Sequence, residues 1–404
     1  MSQPCCRHCG TPLSQEVINL GHQPPSNAYL QPEQLALSEL TYPLRVFVCS
    51  NCWLMQLPAH AAAAELFTAD YAYFSSTSSS WCAHAERFVA AAVERLALGP
   101  ESLVVELASN DGYLLQYVQQ RGIPCLGIEP TTATAEAARA RGVPTLERFF
   151  GLALAAELEP ADLVVANNVL AHVPDINDFV AGIARLLKPQ GRASIEFPHL
   201  LRLLAGNQFD TIYHEHYSYL SLQVVQRIAA AAGLAVVDVE ELPTHGGSLR
   251  VWLAHRGSTD PAPAVEAVLA AEAAAGLETL AAYAGFQQRA EAAKHGLLEF
   301  LLQARRDGRR VLGYGAAAKG NTLLNYAGVR ADLLPAVADR APSKQGKRLP
   351  GSHIPVISPE QLANEAPDAL LVLPWNLINE LRQQLPGYEL VTAIPSLKRW
   401  CASN

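Results

Sequence analysis

The chain has 404 residues, too many for one ordinary hydrophobic core and enough for two or three domains. Its formal net charge is -8, and charged residues of both signs make up 17% of the sequence. This balance provides no basic face on which nucleic acid would bind by counterion release. The first residues lack the apolar stretch of a signal peptide, and no later apolar run reaches a membrane-spanning length. We therefore expect a soluble, cytoplasmic protein that acts on a small molecule.

Two C-x-x-C pairs lie near the amino terminus, in "CRHCG" and "CSNCW". Each pair can lie on a tight turn that directs both sulfurs the same way, so Cys6, Cys9, Cys49 and Cys52 are expected to bind one zinc ion. With four protein ligands the site is predicted to be structural. Cys5 could replace Cys6, and the alternative is a set of unrelated buried cysteines.

The segment "ESLVVELASNDG" indicates a buried strand, a turn of small residues and the start of a helix. Later strands end in "GIEP" and "VVANN", and strands that alternate with helices favour a parallel, doubly wound sheet. Ligands bind such sheets at the carboxyl ends of the strands, where an acidic residue can hold the ribose of an adenosine. A Rossmann-like domain that has lost its site is the alternative. The candidate cofactor-binding residues are Glu106, Ala108, Asn110, Gly112, Glu129, Asn167 and Asn168.

The stretch "YHEHYSY", from Tyr213 to Tyr219, concentrates six side chains that can carry a proton. On a strand, His214 and His216 would share a face and could bind a metal, although no third ligand is evident. A solvated aromatic turn is a further alternative. His172 in "LAHVPD" is as consistent with a structural role as with ligand contact.

The sequence "THGGSLR" contains His245, with Gly246 next to it. Gly246 and Gly247 permit a close backbone approach to a ligand, but a plain turn before the following strand explains these two glycines nearly as well.

The last third of the chain begins with a Pro-containing linker and two helices, followed by "RRVLGYGAAAKGNTLLN". This segment predicts a strand, a small-residue turn and a helix whose backbone amides could bind a diphosphate, assisted by Lys319. It is not a P-loop, because Lys319 precedes the last glycine of the turn. Asp339 is expected at the end of the next strand. The later cations Lys344, Lys347 and Arg348 could bind phosphate or form an ordinary solvated surface.

Taken together, the cysteine pairs, "ELASNDG", "GIEP", "NNVLAHVPD", "YHEHYSY", "HGGSLR" and "GYGAAAKGNTLLN" resemble the sugar C-methyltransferases over nearly the whole chain. The resemblance implies methyl transfer from S-adenosylmethionine to carbon 3 of a nucleoside-diphosphate-linked 4-keto-deoxysugar. Relatives usually have glycine where this chain has Ala108, a difference of one methyl group that weakens the match little. The implied α/β architecture is a zinc ribbon-like domain (1–65), a Rossmann-like methyltransferase domain (66–255), a helical linker (256–307) and a Rossmann-like sugar-nucleotide domain (308–404).

Methylation beside a ketone requires a base that removes a proton to form an enolate. The resemblance assigns this role to His216, with Glu215 and Tyr213 assisting it. A tyrosine of the earlier aromatic loop, Tyr71 or alternatively Tyr73, is implied as the donor to the enolate oxygen. The residues implied to contact the substrate are His172, His245, Gly246, Gly315, Lys319 and Asn321.

The sequence is also compatible with two other functions. The glycine-rich turn before Asp339 is also typical of an NAD-dependent sugar-nucleotide oxidoreductase or epimerase, although the Tyr-x-x-x-Lys pair of those enzymes is missing from "YHEHYSY". A zinc-ribbon nucleic-acid-binding or regulatory protein is the second alternative, which the acidic balance disfavours. We expect a monomer.

Overall fold

The computed structural model describes residues 3–66 and 74–401. The amino-terminal domain contains three consecutive strands, β1 (Gln15–Gln23), β2 (Tyr42–Val48) and β3 (Met55–Gln56), and a short helix, α1 (Ala63–Leu66). β1 pairs antiparallel with β2, and β2 pairs antiparallel with β3. The second cysteine pair lies between β2 and β3, which gives the strand, knuckle and strand of a zinc ribbon that the sequence predicts.

Eight strands follow in the central part of the chain: β4 (Val104–Leu107), β5 (Cys125–Ile128), β6 (Thr145–Leu146), β7 (Ala161–Asn167), β8 (Leu187–Pro198), β9 (Ser218–Tyr219), β10 (Leu234–Leu242) and β11 (Ser248–His255). Seven of them form one sheet in the order β10-β11-β8-β7-β4-β5-β6. Strands β4 to β8 are parallel, and β10 and β11 extend the sheet in the antiparallel sense. All residues of β4 are buried, as expected for a parallel strand covered on both faces.

The helices of the central part are α2 (Ser79–Leu96), α3 (Leu115–Gln119), α4 (Thr132–Ala140), α5 (Leu152–Ala155), α6 (Ile176–Leu186), α7 (Leu200–Ala205) and α8 (Leu222–Ala231). Helices α3 to α6 connect the successive parallel strands from β4 to β8, which brings the carboxyl ends of β4, β5 and β7 to one edge of the sheet.

Strand β9 belongs to the amino-terminal sheet, although it lies far along the chain. It pairs antiparallel with β3, so that Met55 lies opposite Tyr219. The preceding residues 213–217 are not a strand, because they form a turn and an irregular connection. The alternative in which His214 and His216 share one face of a strand, as a pair of metal ligands would, therefore does not apply.

The helices α9 (Pro263–Ala274) and α10 (Phe286–Arg306) lead into the carboxyl-terminal domain. Its strands are β12 (Val311–Tyr314), β13 (Val337–Ala338), β14 (Val356–Ile357), β15 (Ala369–Val372), β16 (Glu389–Thr392) and β17 (Lys398–Trp400), with helices α11 (Ala318–Ala327), α12 (Pro359–Glu365) and α13 (Ile378–Gln384). The sheet order is β14-β13-β12-β15-β16-β17, parallel except for β17.

One hydrophobic core joins the amino-terminal and carboxyl-terminal domains. It contains buried residues of β2, of α10 and of the carboxyl-terminal sheet, including Leu44, Leu297 and Leu371. Within residues 3–66 and 74–401, no helix has both the length and the apolar character needed to cross a bilayer. The domain bounds given above stay predictions.

Candidate active site

The four predicted zinc ligands converge. The Sγ atoms of Cys6, Cys9, Cys49 and Cys52 all lie within 4.8 Å of one another, with 3.5 Å between Cys6 and Cys52 and between Cys9 and Cys49. Cys5 is exposed and is not part of this group. Four converging thiol groups are the donor set of a structural zinc site, because they leave no ligand position for a substrate.

Donors around the cysteines favour the thiolate form that zinc requires. The Nε2–H of Gln56 donates to Sγ of Cys6 at 3.1 Å, and the backbone N–H of Asn51 donates to Sγ of Cys49 at 3.4 Å. The residues present therefore fit a zinc ion.

The turn after β4 has an unusual backbone. Ala108, Asn110 and Gly112 all have positive φ angles, of 53°, 50° and 76°. The turn is hydrogen-bonded to the end of β5. Glu129 directly follows that strand, and its carboxylate accepts a hydrogen bond from the backbone N–H of Asn110 at 2.9 Å. Alanine costs about 1 kcal/mol or more in this region of φ, whereas glycine adopts it freely.

Buried polar groups surround this turn. Burial raises the pKa of Glu106 well above its usual range, and the neighbouring carboxyl groups of Glu129 and Asp111 raise it further. At the end of β7, Oδ1 of Asn167 and both polar side-chain atoms of Asn168 are buried with no hydrogen-bond partner among the described residues. Buried polar atoms without partners are costly unless a ligand or water binds them. All seven predicted cofactor residues thus lie on β4, β5 or β7, or in the segments directly after them.

The loop before α2 docks on the same turn. The backbone N–H of Ser75 donates to Oδ1 of Asn110 at 2.8 Å, and Ser76 binds the carboxylate of Asp111, which also pairs with Arg141 at 3.1 Å. This loop continues from the aromatic segment that contains Tyr71 and Tyr73, and both tyrosines lie outside the described residues.

His216 has its tautomer fixed by the backbone. Its Nδ1 lies 2.7 Å from the carbonyl oxygen of Thr211, and because a carbonyl can only accept, Nδ1 carries the proton and Nε2 carries the lone pair. The ring centroid lies 3.9 Å from that of Tyr213 and 4.6 Å from that of His172. The structure therefore brings three of the predicted site residues together.

Positive groups and burial keep this histidine neutral. Burial lowers the pKa of His216 well below 6.5, and His172, His245 and Lys319 act in the same direction. A neutral imidazole with a free lone pair on Nε2 is the form in which histidine accepts a proton.

The neighbouring residues of the motif face the amino-terminal domain instead. The ring of His214 lies 5.8 Å from that of Tyr42 on β2. The carboxylate of Glu215 is buried and accepts hydrogen bonds from the backbone N–H and from Nδ2 of Asn27, each at 3.2 Å. Among the described residues, the cysteines form the single cluster suited to a metal, so a His214 and His216 metal site is not present.

Two further predicted residues lie at the boundary of the central and carboxyl-terminal domains. Lys319, at the start of α11, donates through Nζ to Oδ1 of Asn376 at 2.8 Å and lies 4.7 Å from the ring centroid of Trp375. The ring of His245 meets that of Trp81 edge to face at 5.2 Å.

The remaining predicted substrate residues pack against the protein itself. Gly246 and Gly315 have φ angles of 91° and 83°, and a Cβ atom at either position would lie 2.5 Å from an atom of Trp375 or Pro374. The Nδ2–H of Asn321 donates to the carbonyl oxygen of Ser26 at 2.6 Å.

Three family models match the chain. They are described as "Putative zinc binding domain" over residues 6–67, "Methyltransferase domain" over residues 81–239 and "C-methyltransferase C-terminal domain" over residues 243–395. The C-methyltransferase NovU of Streptomyces niveus is 37% identical over 381 residues, which cover 93% of this chain and 90% of that protein. The chain belongs to the C-methyltransferase family. It is an S-adenosylmethionine-dependent enzyme with an amino-terminal zinc-binding domain.

Solved structures also resemble parts of this C-methyltransferase. The magnesium protoporphyrin IX methyltransferase of Synechocystis PCC 6803 with bound SAM is 16% identical and covers 42% of this chain and 79% of its own, with a TM-score of 0.33. The PH0226 protein of Pyrococcus horikoshii OT3 is 15% identical and covers 46% of this chain and 95% of its own, with a TM-score of 0.38.

The C-methyltransferase has a polar cluster that sequence reasoning missed. The carboxylate of Glu196, near the end of β8, is buried and lies 2.9 Å from Nε2 of His84 and 3.0 Å from Nη2 of Arg250. The hydroxyl of Thr244 donates to its other oxygen at 3.1 Å. The position of Glu196 near a strand end was a usable signal, but His84 on α2 and Arg250 on β11 gave none.

Asp210 was missed as well. Its buried carboxylate accepts a hydrogen bond from Nε1 of Trp375 at 2.7 Å, and burial raises its pKa to about 6. Asp210 and Trp375 lie outside the motifs described above. They meet because the central and carboxyl-terminal domains pack together.

Proposed function

We propose that this enzyme transfers a methyl group from S-adenosylmethionine to carbon 3 of a thymidine-diphosphate-linked 4-keto-deoxysugar. The observation that supports the proposal most directly is the hydrogen bond from Nδ1–H of His216 to Thr211, which leaves Nε2 as the base. The family of the chain makes it a C-methyltransferase, and a carbon beside a ketone is one whose proton a histidine can remove.

In this proposal His216 removes the proton from the carbon beside the ketone. The electron pair of the broken C–H bond would form an enolate. S-adenosylmethionine, when bound, would supply the electrophilic methyl group, and the electrons of its C–S bond would leave on the sulfur of S-adenosylhomocysteine. Thr211 keeps the ring in the productive tautomer, and Tyr213 packs against one face of it at 3.9 Å. We propose Tyr71 as the donor to the enolate oxygen, where negative charge develops.

The cofactor is proposed to bind along the carboxyl edge of β4, β5 and β7. Glu129 would accept from the ribose hydroxyls, because a carboxylate has about four acceptor positions and Asn110 and Thr131 use some of them. The buried amides of Asn167 and Asn168 offer further polar contacts.

The sugar nucleotide is proposed to lie between the central and carboxyl-terminal domains. Lys319 would add a positive charge near the diphosphate, since it lies at the start of α11 beside Asn376 and Trp375. Cytoplasmic localisation and a monomeric state stay predictions.

The oxidoreductase alternative has less support. The carboxylate of Asp339 accepts from the backbone N–H groups of Ala316 and Ala341 at 2.6 and 2.8 Å, and the Tyr29 hydroxyl and Nζ of Lys344 both donate to the carbonyl oxygen of Ala316. The chain's own groups thus occupy the glycine turn at which a dinucleotide would bind. Neither this alternative nor a nucleic-acid-binding function is favoured by the family.

The test is the variant His216→Asn, assayed for methyl transfer to a synthetic thymidine-diphosphate 4-keto-deoxysugar. Turnover should fall by about a hundredfold or more, because asparagine cannot accept the proton. Affinity for S-adenosylhomocysteine, measured by calorimetry, should stay unchanged. His214→Asn is the matched control, since that ring faces Tyr42, and it should keep wild-type turnover per folded molecule. Wild-type turnover in His216→Asn would exclude it as the base.

A further inference from the structure

Arg7 lies inside the first zinc knuckle, between Cys6 and Cys9, yet its side chain contacts the central domain. Nη1–H donates to the carbonyl oxygen of Pro174 at 2.9 Å, and Nη2–H donates to the carbonyl oxygen of Leu57. The guanidinium carbon lies 5.2 Å from the ring centroid of Tyr217. One side chain therefore joins the zinc domain to two separate segments of the central domain.

Both of these segments carry a histidine of the proposed active site. Pro174 lies two residues after His172, and Tyr217 directly follows His216. The rings of His172 and His216 meet at 4.6 Å. Arg7 thus contacts a residue close after each of these two histidines in the sequence, two positions after His172 and one position after His216.

Backbone hydrogen bonds extend the same connection. The N–H of Tyr217 donates to the carbonyl oxygen of Ala171 at 2.8 Å, and its carbonyl oxygen accepts from the N–H of Leu57 at 3.0 Å. The residue after His216 is therefore held between the His172 turn and the end of β3. Because Arg7 binds Leu57 on the zinc-domain side and Pro174 on the other, it spans the same junction.

We propose that Arg7 is a positioning residue for the proton-transfer step, because it fixes the His172 turn and the His216 segment against the zinc knuckle. The proposal rests on the proposed role of His216 as base. The zinc-binding domain would then contribute to the reaction. Zinc binding would fix the conformation of the knuckle, the knuckle fixes the position of Arg7, and Arg7 fixes the position of His216 relative to the substrate carbon.

The planar fork of arginine suits this role, since its two terminal nitrogens reach two carbonyl groups at once. Lysine keeps the charge but provides a single nitrogen on a flexible stem, so it cannot hold both carbonyls in the same geometry. Small displacements of a catalytic group cost large factors in rate, on the order of a hundredfold for about 1 Å.

The experiment measures deuterium incorporation from heavy water into carbon 3 of the 4-keto-deoxysugar nucleotide, with S-adenosylhomocysteine bound in place of the methyl donor. This exchange reports proton removal without methyl transfer. Arg7→Lys should exchange about tenfold more slowly than the wild type. Zinc content and affinity for S-adenosylhomocysteine, measured on the same samples, should stay unchanged.

Arg227→Lys is the matched control. Arg227 also binds a zinc knuckle, through a hydrogen bond from Nη1–H to the carbonyl oxygen of Cys52 at 3.0 Å, but its other partner is Glu278 on the linker side. Exchange by this variant should equal the wild type.

Wild-type exchange in Arg7→Lys would overturn the positioning role, and so would a loss of zinc or cofactor affinity by the same factor as the loss of exchange. Arg7→Gln is the second variant if the lysine variant does not fold, and failure of both to fold would make Arg7 a stability determinant and overturn the proposal. His216→Asn separates the two hypotheses: if it retains exchange, the base assignment fails, whereas if it abolishes exchange and Arg7→Lys does not slow it, the failure belongs to Arg7.

Discussion

Gly246 of the central domain packs directly against the indole of Trp375 in the carboxyl-terminal domain. A Cβ atom at this position would lie 2.5 Å from Cη2 of Trp375 and 2.8 Å from Nε2 of Gln208. An ordinary contact begins at 3.4 Å, so Gly246→Ala forces the indole to move by about 1 Å. The hydrogen bond from Nε1 of Trp375 to Asp210, now 2.7 Å long, would then exceed hydrogen-bonding distance.

Two costs add up in this variant. Loss of a hydrogen bond to a carboxylate costs about 1.5 to 3 kcal/mol. Alanine at a φ of 91° adds about 1 kcal/mol or more of backbone strain. Gly257→Ala is the matched control, because Gly257 has a φ of 80° and no atom within 4 Å of the added Cβ, so it incurs the backbone cost alone.

Urea unfolding of both variants, followed by tryptophan fluorescence, checks the prediction. Gly246→Ala should lower the free energy of unfolding by about 2.5 to 4 kcal/mol and Gly257→Ala by about 1 kcal/mol. Equal losses in the two variants would refute the argument, since they would mean that the indole is not held against the glycine.

Two further predictions concern the base and the cofactor turn. Burial lowers the pKa of His216 well below 6.5, and the base must be neutral to accept a proton. We therefore expect kcat to stay constant as pH falls from weakly alkaline values to 6.5 and to decline only below that pH. An acid limb of the pH profile centred above 6.5 would contradict the assignment. Ala108→Gly should raise the free energy of unfolding by about 0.5 kcal/mol. The removal of backbone strain at a φ of 53° outweighs the greater conformational freedom of glycine in the unfolded chain. A variant that is less stable than the wild type in thermal or urea unfolding would contradict this prediction.

The features that the sequence predicts well are those with short-range signals. The spacing of the cysteine pairs indicates the metal site, because a C-x-x-C turn fixes the direction of two sulfurs over a few residues. Strand ends are similarly local, so Glu129 and Asn167 could be assigned to one edge of the sheet from the order of strands alone.

The features that the sequence does not reveal depend on which distant segments meet. The partners of Glu215, Arg7 and Asn321 lie between 50 and 295 residues away along the chain. No periodicity or spacing encodes such pairings, because they follow from the packing of whole domains. The same reason explains why the hydrogen bond between the side chain of Glu215 and Asn27 of the amino-terminal domain could not be predicted from the sequence. The role of Glu215 in assisting His216 stays a prediction.

The pairing of β3 with β9 has a consequence for the order in which the chain acquires its structure. Protein domains generally fold from the amino terminus as the ribosome releases them. Here the amino-terminal sheet remains incomplete until Ser218 and Tyr219 have emerged, although its cysteines are available much earlier. An unpaired strand edge is a site of aggregation, so during synthesis the outer edge of β3 stays open while the central domain is being made. Release of residues 218 and 219 closes that edge, and with it the segment that carries His216 becomes fixed.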